Sequence, residues 1–282
     1  MQMMKVFGLM TGLTVLLVVA GDYLGGPSMA LGMLVFAVIM NVGAYWFSDR
    51  AVLKMYRAKV IGPDDAPELY TMVDRLRSEA NLPMPTIAIA PSEQPNAFAT
   101  GRNQNHAVVC VTSGILQLIS ARELEGVIAH ELAHIKHRHM LVGTVAATVA
   151  GAIAMLASVA KWGLFLGRGR RSNGGGNLIV MIAMMIIAPM AAMIIQMMIS
   201  RSNEFQADAT AARITSDPVG LASALQKIEG YARKIPMEVN PAAAQLAIIN
   251  PLAGSAGDTM SRFFSTHPPT EKRVAKLRGM RI

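Results

Sequence analysis

The stretch EGVIAHELAHIKHRH, residues 125–139, decides how the rest of the chain is read. Just before it, Ser120 and Glu123 form the S-x-x-E pattern of a capping box, in which each side chain satisfies the other residue's backbone N–H. Leu124, Val127, Ile128, Leu132 and Ile135 recur at helical spacing and make one apolar face. No Gly or Pro interrupts residues 127–140, so the helix is predicted to run on into the apolar segment that follows. His130 and His134 stand at i and i+4 on one face, where both imidazoles reach a single ion. Glu131 points to a neighbouring direction. There it is placed to take a proton from water beside the metal without being a ligand.

An HExxH pattern also arises by chance, as two polar positions on an amphipathic helix. The surroundings weigh against that reading, because solvated histidines do not usually sit within Val127-Ile128-Ala129 and Leu132-Ala133. A catalytic zinc site needs a third protein ligand and one open position. Cys110 is the only cysteine, so a Cys-rich metal knuckle and an intramolecular disulfide are both excluded. Downstream, NEFQAD at 203–208 offers Glu204 and Asp208, again at i and i+4. Glu204 is the candidate third ligand, and Asp208 the candidate partner that fixes the tautomer of a ligating histidine. Acidic residues are also favoured in the first turns of any helix by its dipole, but that reading alone leaves the site one ligand short.

The composition points to a membrane. Of 282 residues, 52% are hydrophobic and only 16% charged, against about 25% charged in an ordinary soluble domain. Four apolar stretches compete to be spans: residues 6–20, 29–47, 141–166 and 178–199. A helical span needs about 20 apolar residues. The first stretch, preceded by Lys5, also has the outline of a signal peptide. The turn-rich gap at 21–28 favours a transmembrane hairpin instead. That gap carries Asp22 and no Lys or Arg, whereas Arg50, Lys54, Arg57 and Lys59 follow the second stretch. The charge bias places the N-terminus and the region after Phe47 in the cytoplasm. The loop between the third and fourth stretches carries Arg168, Arg170 and Arg171, which argues against a simple four-span topology. The net charge of +8 is read as this membrane flanking rather than as a nucleic-acid footprint, since no nucleic-acid-binding motif accompanies it.

Residues 51–140 look soluble. Leu69, Met72, Val73 and Leu76 predict a helix over 66–80. Residues 86–90, 96–100 and 107–112 read as strands. Helices are expected at 204–214, 219–234 and 271–278, and Gly174 to Gly176 marks a flexible loop. The expected fold is a mainly α membrane protein with a small β-sheet, carrying a zincin-type metallopeptidase domain. Residues 1–50 form the N-terminal hairpin. Residues 51–282 form the peptidase domain, interrupted by an apolar hairpin at 141–199.

HELAH followed by NEFQAD resembles the gluzincin metallopeptidases, in which a glutamate is the third ligand. PNAFATG at 95–101, residues 125–139, SRSNEFQADATAA at 200–212 and STHPPTEKRV at 265–274 together resemble the HtpX family of membrane-bound zinc proteases. The core is also similar to the CAAX prenyl endopeptidases. The resemblance implies one Zn(2+) per chain, held by His130, His134 and Glu204. It implies an integral multi-pass protein of the bacterial inner membrane, in contact with the lipid bilayer, its active site facing the cytoplasm. Its substrates would be misfolded or damaged membrane proteins, and soluble proteins beside them, as part of a stress response. Further roles follow from the match. His267, before the rigid Pro268-Pro269, would help hold the oxyanion. Arg273 would pair with an active-site carboxylate. Asn96, Ala97 and Phe98 would bind an extended substrate on an edge strand. His137 and His139 are read as cytoplasm-facing polar residues, and His106 as part of a turn.

Ligation has one topological consequence. His134 and Glu204 flank both later apolar segments, so the hairpin must return to the side it left. Two other functions compete. A prenyl-protein peptidase shares the chemistry but would cleave only prenylated C-terminal peptides. A transporter or scaffold with an incidental HExxH would hold no zinc, and its spans would carry more ionisable residues than these do.

Overall fold

A computed structural model describes residues 2–140, 201–232, 248 and 268–281. The third and fourth apolar segments, the glycine loop at 174–176, the end of the helix expected to reach Lys234, and His267 lie outside the described residues.

The N-terminal helix α1 (Gln2–Met55) is two arms joined at Gly25 and Gly26, whose dihedrals leave the helical region, with Pro27 directly after. Gly26 has φ of +70°, a conformation that glycine adopts without a Cβ penalty. The arms fold back on each other. Leu17 packs on Ala37, and Asn41 Nδ2 donates to Thr14 Oγ1 at 3.2 Å. Gly21 lies against Met29, Ala30 and Met33, so it fits only because it carries no side chain. Residues Gly25–Phe47 form one helix long and apolar enough to cross a membrane, and Met10–Val19 is a shorter apolar helix.

Past α1 come β1 (Lys59–Ile61), α2 (Pro67–Glu79), β2 (Thr86–Ala90), β3 (Ala97–Gly101), β4 (Ala107–Thr112) and α3 (Ser113–Leu118). The four strands make one mixed sheet in the order β1-β2-β4-β3. Strands β2 and β4 run parallel, and the outer pairs are antiparallel. Alternate residues serve two layers, as the period of two demands. Ile87, Ala97, Ala99, Val109 and Val111 join the main core with α2, α3 and the helices that follow. Ala88, Ala90, Phe98, Val108 and Cys110 face the other way, onto Val52, Leu53 and Tyr56 at the end of α1. Covering both faces explains why β3 and β4 read as nearly unbroken small apolar runs.

The helix predicted to start at the Ser120 capping box is α4 (Ala121–Lys136), and it ends earlier than expected. Its capping box is present in full, with Ser120 N–H donating to Glu123 at 2.8 Å. Ser223 and Lys227 also bond Glu123. At the other end His137 caps the helix, and Arg138 turns left-handed with φ of +58°. The expected continuous helix into the third apolar segment is therefore broken at residues 137–138. A non-glycine residue in this region costs about 1 kcal/mol or more, so no propensity rule applied to this stretch would place the break there.

Helix α5 (201–215) and α6 (Pro218–Ala232) follow, and α7 (Thr270–Arg278) closes the described chain. Helices α4 and α6 meet at Gly126, where a Cβ would lie 2.7 Å from Leu221 N and 2.8 Å from Leu221 Cα. Gly126→Val is expected to wedge the two helices apart and cost about 1–3 kcal/mol, read as a lower chemical-denaturation midpoint. An unchanged midpoint would show that the contact is not tight.

Candidate metal centre

Helix α4 presents His130 and His134 one turn apart, and α5 presents Glu204 and Asp208 at the same spacing. Packing of α5 against α4 turns the two faces toward each other. His130 Nε2 and His134 Nε2 lie 3.1 Å apart. The Glu204 carboxylate bridges the pair, with Oε2 at 3.5 Å from His130 Nε2 and Oε1 at 3.3 Å from His134 Nε2. These spacings test whether an ion would fit. Zinc–nitrogen and zinc–oxygen bonds of about 2.0–2.2 Å in tetrahedral geometry put neighbouring ligand atoms about 3.3–3.5 Å apart. The two nitrogen–oxygen distances fall in that range, one to each carboxylate oxygen, and the nitrogen–nitrogen distance is slightly shorter, so the cluster is compact enough to share an ion. Among the described residues this is also the one group of three or more His, Cys, Asp or Glu side chains close enough to share an ion.

The site is dry on one side and open on the other. The side chains of His130 and Glu204 are 1% and 5% exposed, whereas that of His134 is 16% exposed. The cluster is therefore reached from the His134 side. Glu131 follows His130 on α4 and is itself buried.

Behind these three side chains lies a charged layer. Asp208 Oδ1 stands 3.0 Å from His130 Nδ1. Arg273, from α7, grips Asp208 with two bonds, Nε to Oδ2 at 2.8 Å and Nη2 to Oδ1 at 2.7 Å. Its Nη1 also reaches Glu204 Oε2 at 3.2 Å and donates to the Ile248 carbonyl at 3.1 Å. Burial opposes charge on Asp208, but the Arg273 guanidinium outweighs it and holds the carboxyl down at about 2. Burial likewise pulls His130 down, yet its bonds to Asp208 and Glu204 prevail and lift it to about 9.

His134 is backed differently. Its Nδ1 lies 3.1 Å from His139 Nδ1. The sequence reading put His137 and His139 toward the cytoplasm. In the structure His139 is buried and His137 half-buried, stacked ring on ring at 5.3 Å. The left-handed turn at Arg138 is the reason: it swings His139 back beneath the helix end. Burial, with His134 and His137 adding to it, pushes His139 down to about 3, so it is neutral.

The edge-strand residues are engaged inside the protein. Ala97 belongs to the main core and Phe98 packs on Tyr56 at 4.6 Å between ring centres. The Asn96 carboxamide oxygen accepts from Ile248 N–H at 3.0 Å. Asn96 and Thr112 face each other across the ladder, with Thr112 N–H donating to the Asn96 carbonyl at 2.9 Å. By the alternation of an antiparallel pair, the main-chain groups of Ala97 and Ala99 then point away from β4. Among the described residues β3 has no strand on that side. His106 closes a short 3-10 turn over Gln104–His106, capped by Asn103.

Comparison with known proteins agrees with this geometry. The sequence profile of Peptidase family M48 matches residues 63–281. A "Protease HtpX homolog" of Desulforapulum autotrophicum is 53% identical over 272 residues, covering 96% of this chain and 87% of that one. One from Gemmatimonas aurantiaca is 54% identical over 280 residues, covering 99% of each chain. Among solved structures, S. mikatae Ste24p superposes with a TM-score of 0.57 at 17% identity. That match covers 98% of this chain but 65% of the longer Ste24p chain, and it carries the fold alone.

Proposed function

Because the chain belongs to peptidase family M48 and is a metalloprotease acting on peptide bonds, we propose that its metal is one zinc ion held by His130, His134 and Glu204. The observation that carries this reading is the cluster of His130, His134 and Glu204, whose two imidazole Nε2 atoms lie 3.1 Å apart and each within 3.5 Å of a Glu204 carboxylate oxygen. When bound, the ion supplies a Lewis acid that polarises a peptide carbonyl and acidifies water. Glu131 is the general base that takes the water's proton, and later returns it to the departing amine. Asp208 holds His130 with Nδ1 protonated, so that Nε2 keeps its lone pair for the ion. Arg273 balances the Asp208 and Glu204 carboxylates. His267 is assigned the oxyanion role that the family resemblance gives it.

The substrate would be an extended segment pairing, through main-chain groups of Ala97 and Ala99, with the edge of β3 that has no partner strand among the described residues. Because the side chains of Ala97 and Phe98 are committed to the core, this contact carries little side-chain selectivity. That suits a protease of damaged membrane proteins. The α1 hairpin anchors the chain in the bacterial inner membrane. Tyr45 and Trp46 close its apolar arm, as interfacial aromatics do, and Arg102 stacks over Trp46 at 4.7 Å. This contact supports a sheet, and with it the metal centre, close to the cytoplasmic membrane surface.

The test is zinc affinity of the full chain in detergent, measured against pH. His130 is protonated in the metal-free protein up to about 9, and the ion must displace that proton. Affinity is expected to rise by about tenfold per pH unit below that value. Glu204→Ala should weaken binding strongly at every pH. Unchanged affinity in that variant would remove Glu204 from the site.

A further inference from the structure

His139, Gln206, His137 and Thr210 form a line of side chains that the mechanism above leaves unused. His134 turns Nε2 toward His130 and Glu204. To ligate there as a neutral ring it must carry its one proton on Nδ1. That proton faces His139 Nδ1 at 3.1 Å, which accepts it only if the His139 proton is on Nε2. His139 Nε2 in turn lies 3.2 Å from Gln206 Oε1, an acceptor. Gln206 Nε2 is 3.3 Å from His137 Nδ1. His137 Nε2 is 2.8 Å from Thr210 Oγ1. Every link pairs one donor with one acceptor.

The line has one other self-consistent state. With the Gln206 carboxamide turned over, its NH2 meets His139 Nε2. The His139 proton then moves to Nδ1, and His134 must carry its proton on Nε2, where it blocks an ion. The orientation of one amide thus selects between a ligating and a non-ligating His134.

We propose that His139, set by Gln206, His137 and Thr210, is a positioning residue that holds His134 in the Nδ1–H tautomer and so makes it a metal ligand. The proposal rests on the metal assignment above. It makes the two ligating histidines unequal: a carboxylate, Asp208, backs His130, and a neutral ring backs His134. The neutral backing orients the ligand without adding charge beside Glu204. The turn at Arg138, with its φ of +58°, is what delivers His139 to this place.

The experiment measures zinc affinity of the detergent-solubilised full chain by competition with a chromogenic chelator. His139→Phe keeps a ring but cannot accept, and zinc should bind about 10–100-fold more weakly. Gln206→Leu cuts the line one link further out, without touching a ligand, and should weaken zinc binding in the same direction. Gln206→Glu can only accept from His139 and should restore affinity to the wild-type level or above. A purely structural role for Gln206 would not distinguish Leu from Glu in this way. If His139→Phe, or Gln206→Leu where the first variant does not fold, binds zinc as the wild type does, the proposal is overturned. Equal losses in Gln206→Leu and Gln206→Glu would overturn it as well. His134→Ala separates the two readings: zinc binding unchanged in that variant sinks the metal assignment itself. Binding lost there but kept in the His139 and Gln206 variants sinks only the positioning role.

Discussion

Glu131→Gln is expected to abolish measurable proteolysis while the metal stays bound. The substitution keeps shape and hydrogen-bonding capacity but removes the ability to take a proton. General-base catalysis by a positioned side chain is worth about 10²–10⁴ in rate. Glu131 is 4% exposed, so bulk water has poor access to replace it. The three side chains proposed to hold the metal, His130, His134 and Glu204, are untouched. Casein cleavage and metal content should therefore separate: the first lost, the second unchanged. Cleavage at the wild-type rate would refute the assignment of Glu131 as base.

The largest expected loss of stability comes from Arg273. Its side chain is 1% exposed and bonds two buried carboxylates, Asp208 and Glu204. Burial alone would oppose charge on the guanidinium, but the two carboxylates outweigh it and hold its pKa raised. Arg273→Leu removes the compensating charge and leaves both carboxylates buried, at a cost of about 3–5 kcal/mol. Arg273→Lys is expected to rescue little, because an ammonium cannot form the two-pronged bond to Asp208. Adding Asp208→Asn to Arg273→Leu should recover part of the loss, since it removes one stranded charge. A denaturation midpoint unmoved by Arg273→Leu would show that water or another cation already compensates the pair.

The sequence made the central helix legible because its signals agreed at every level. A capping box, an apolar face and two histidines one turn apart all specify one helix with one functional side. Strands β2, β3 and β4 were legible as short β-branched and small apolar runs, and most soluble helices by their spacing; the three-residue β1 and the six-residue α3 were not, because elements so short carry too little pattern. Their order in the sheet was not, because pairing depends on contacts distant in sequence. The role of His139 was hidden for a local reason. On an uninterrupted helix, residues five apart point about 140° from each other, so His139 should face away from His134. Only the left-handed residue at 138 reverses that, and arginine gives no hint of it. Asn96, Ala97 and Phe98 read from sequence as an edge strand, and β3 does lie at the edge of the described sheet, but with its side chains buried. Burial on both faces of β3 depends on α1 returning over the sheet, which no local pattern in PNAFATG reveals.

The ligands' place along the chain bears on how the protein holds together. His134 and Glu204 are about seventy residues apart in sequence, with two apolar segments between them. A shared ion would act as a clip across that long loop. Clips across long loops restrict the unfolded chain most, by about 4 kcal/mol of loop-closure entropy in the simplest chain-statistics estimate. Losing the ion would then do more than silence the enzyme. It would slacken the tether that keeps α5 against α4.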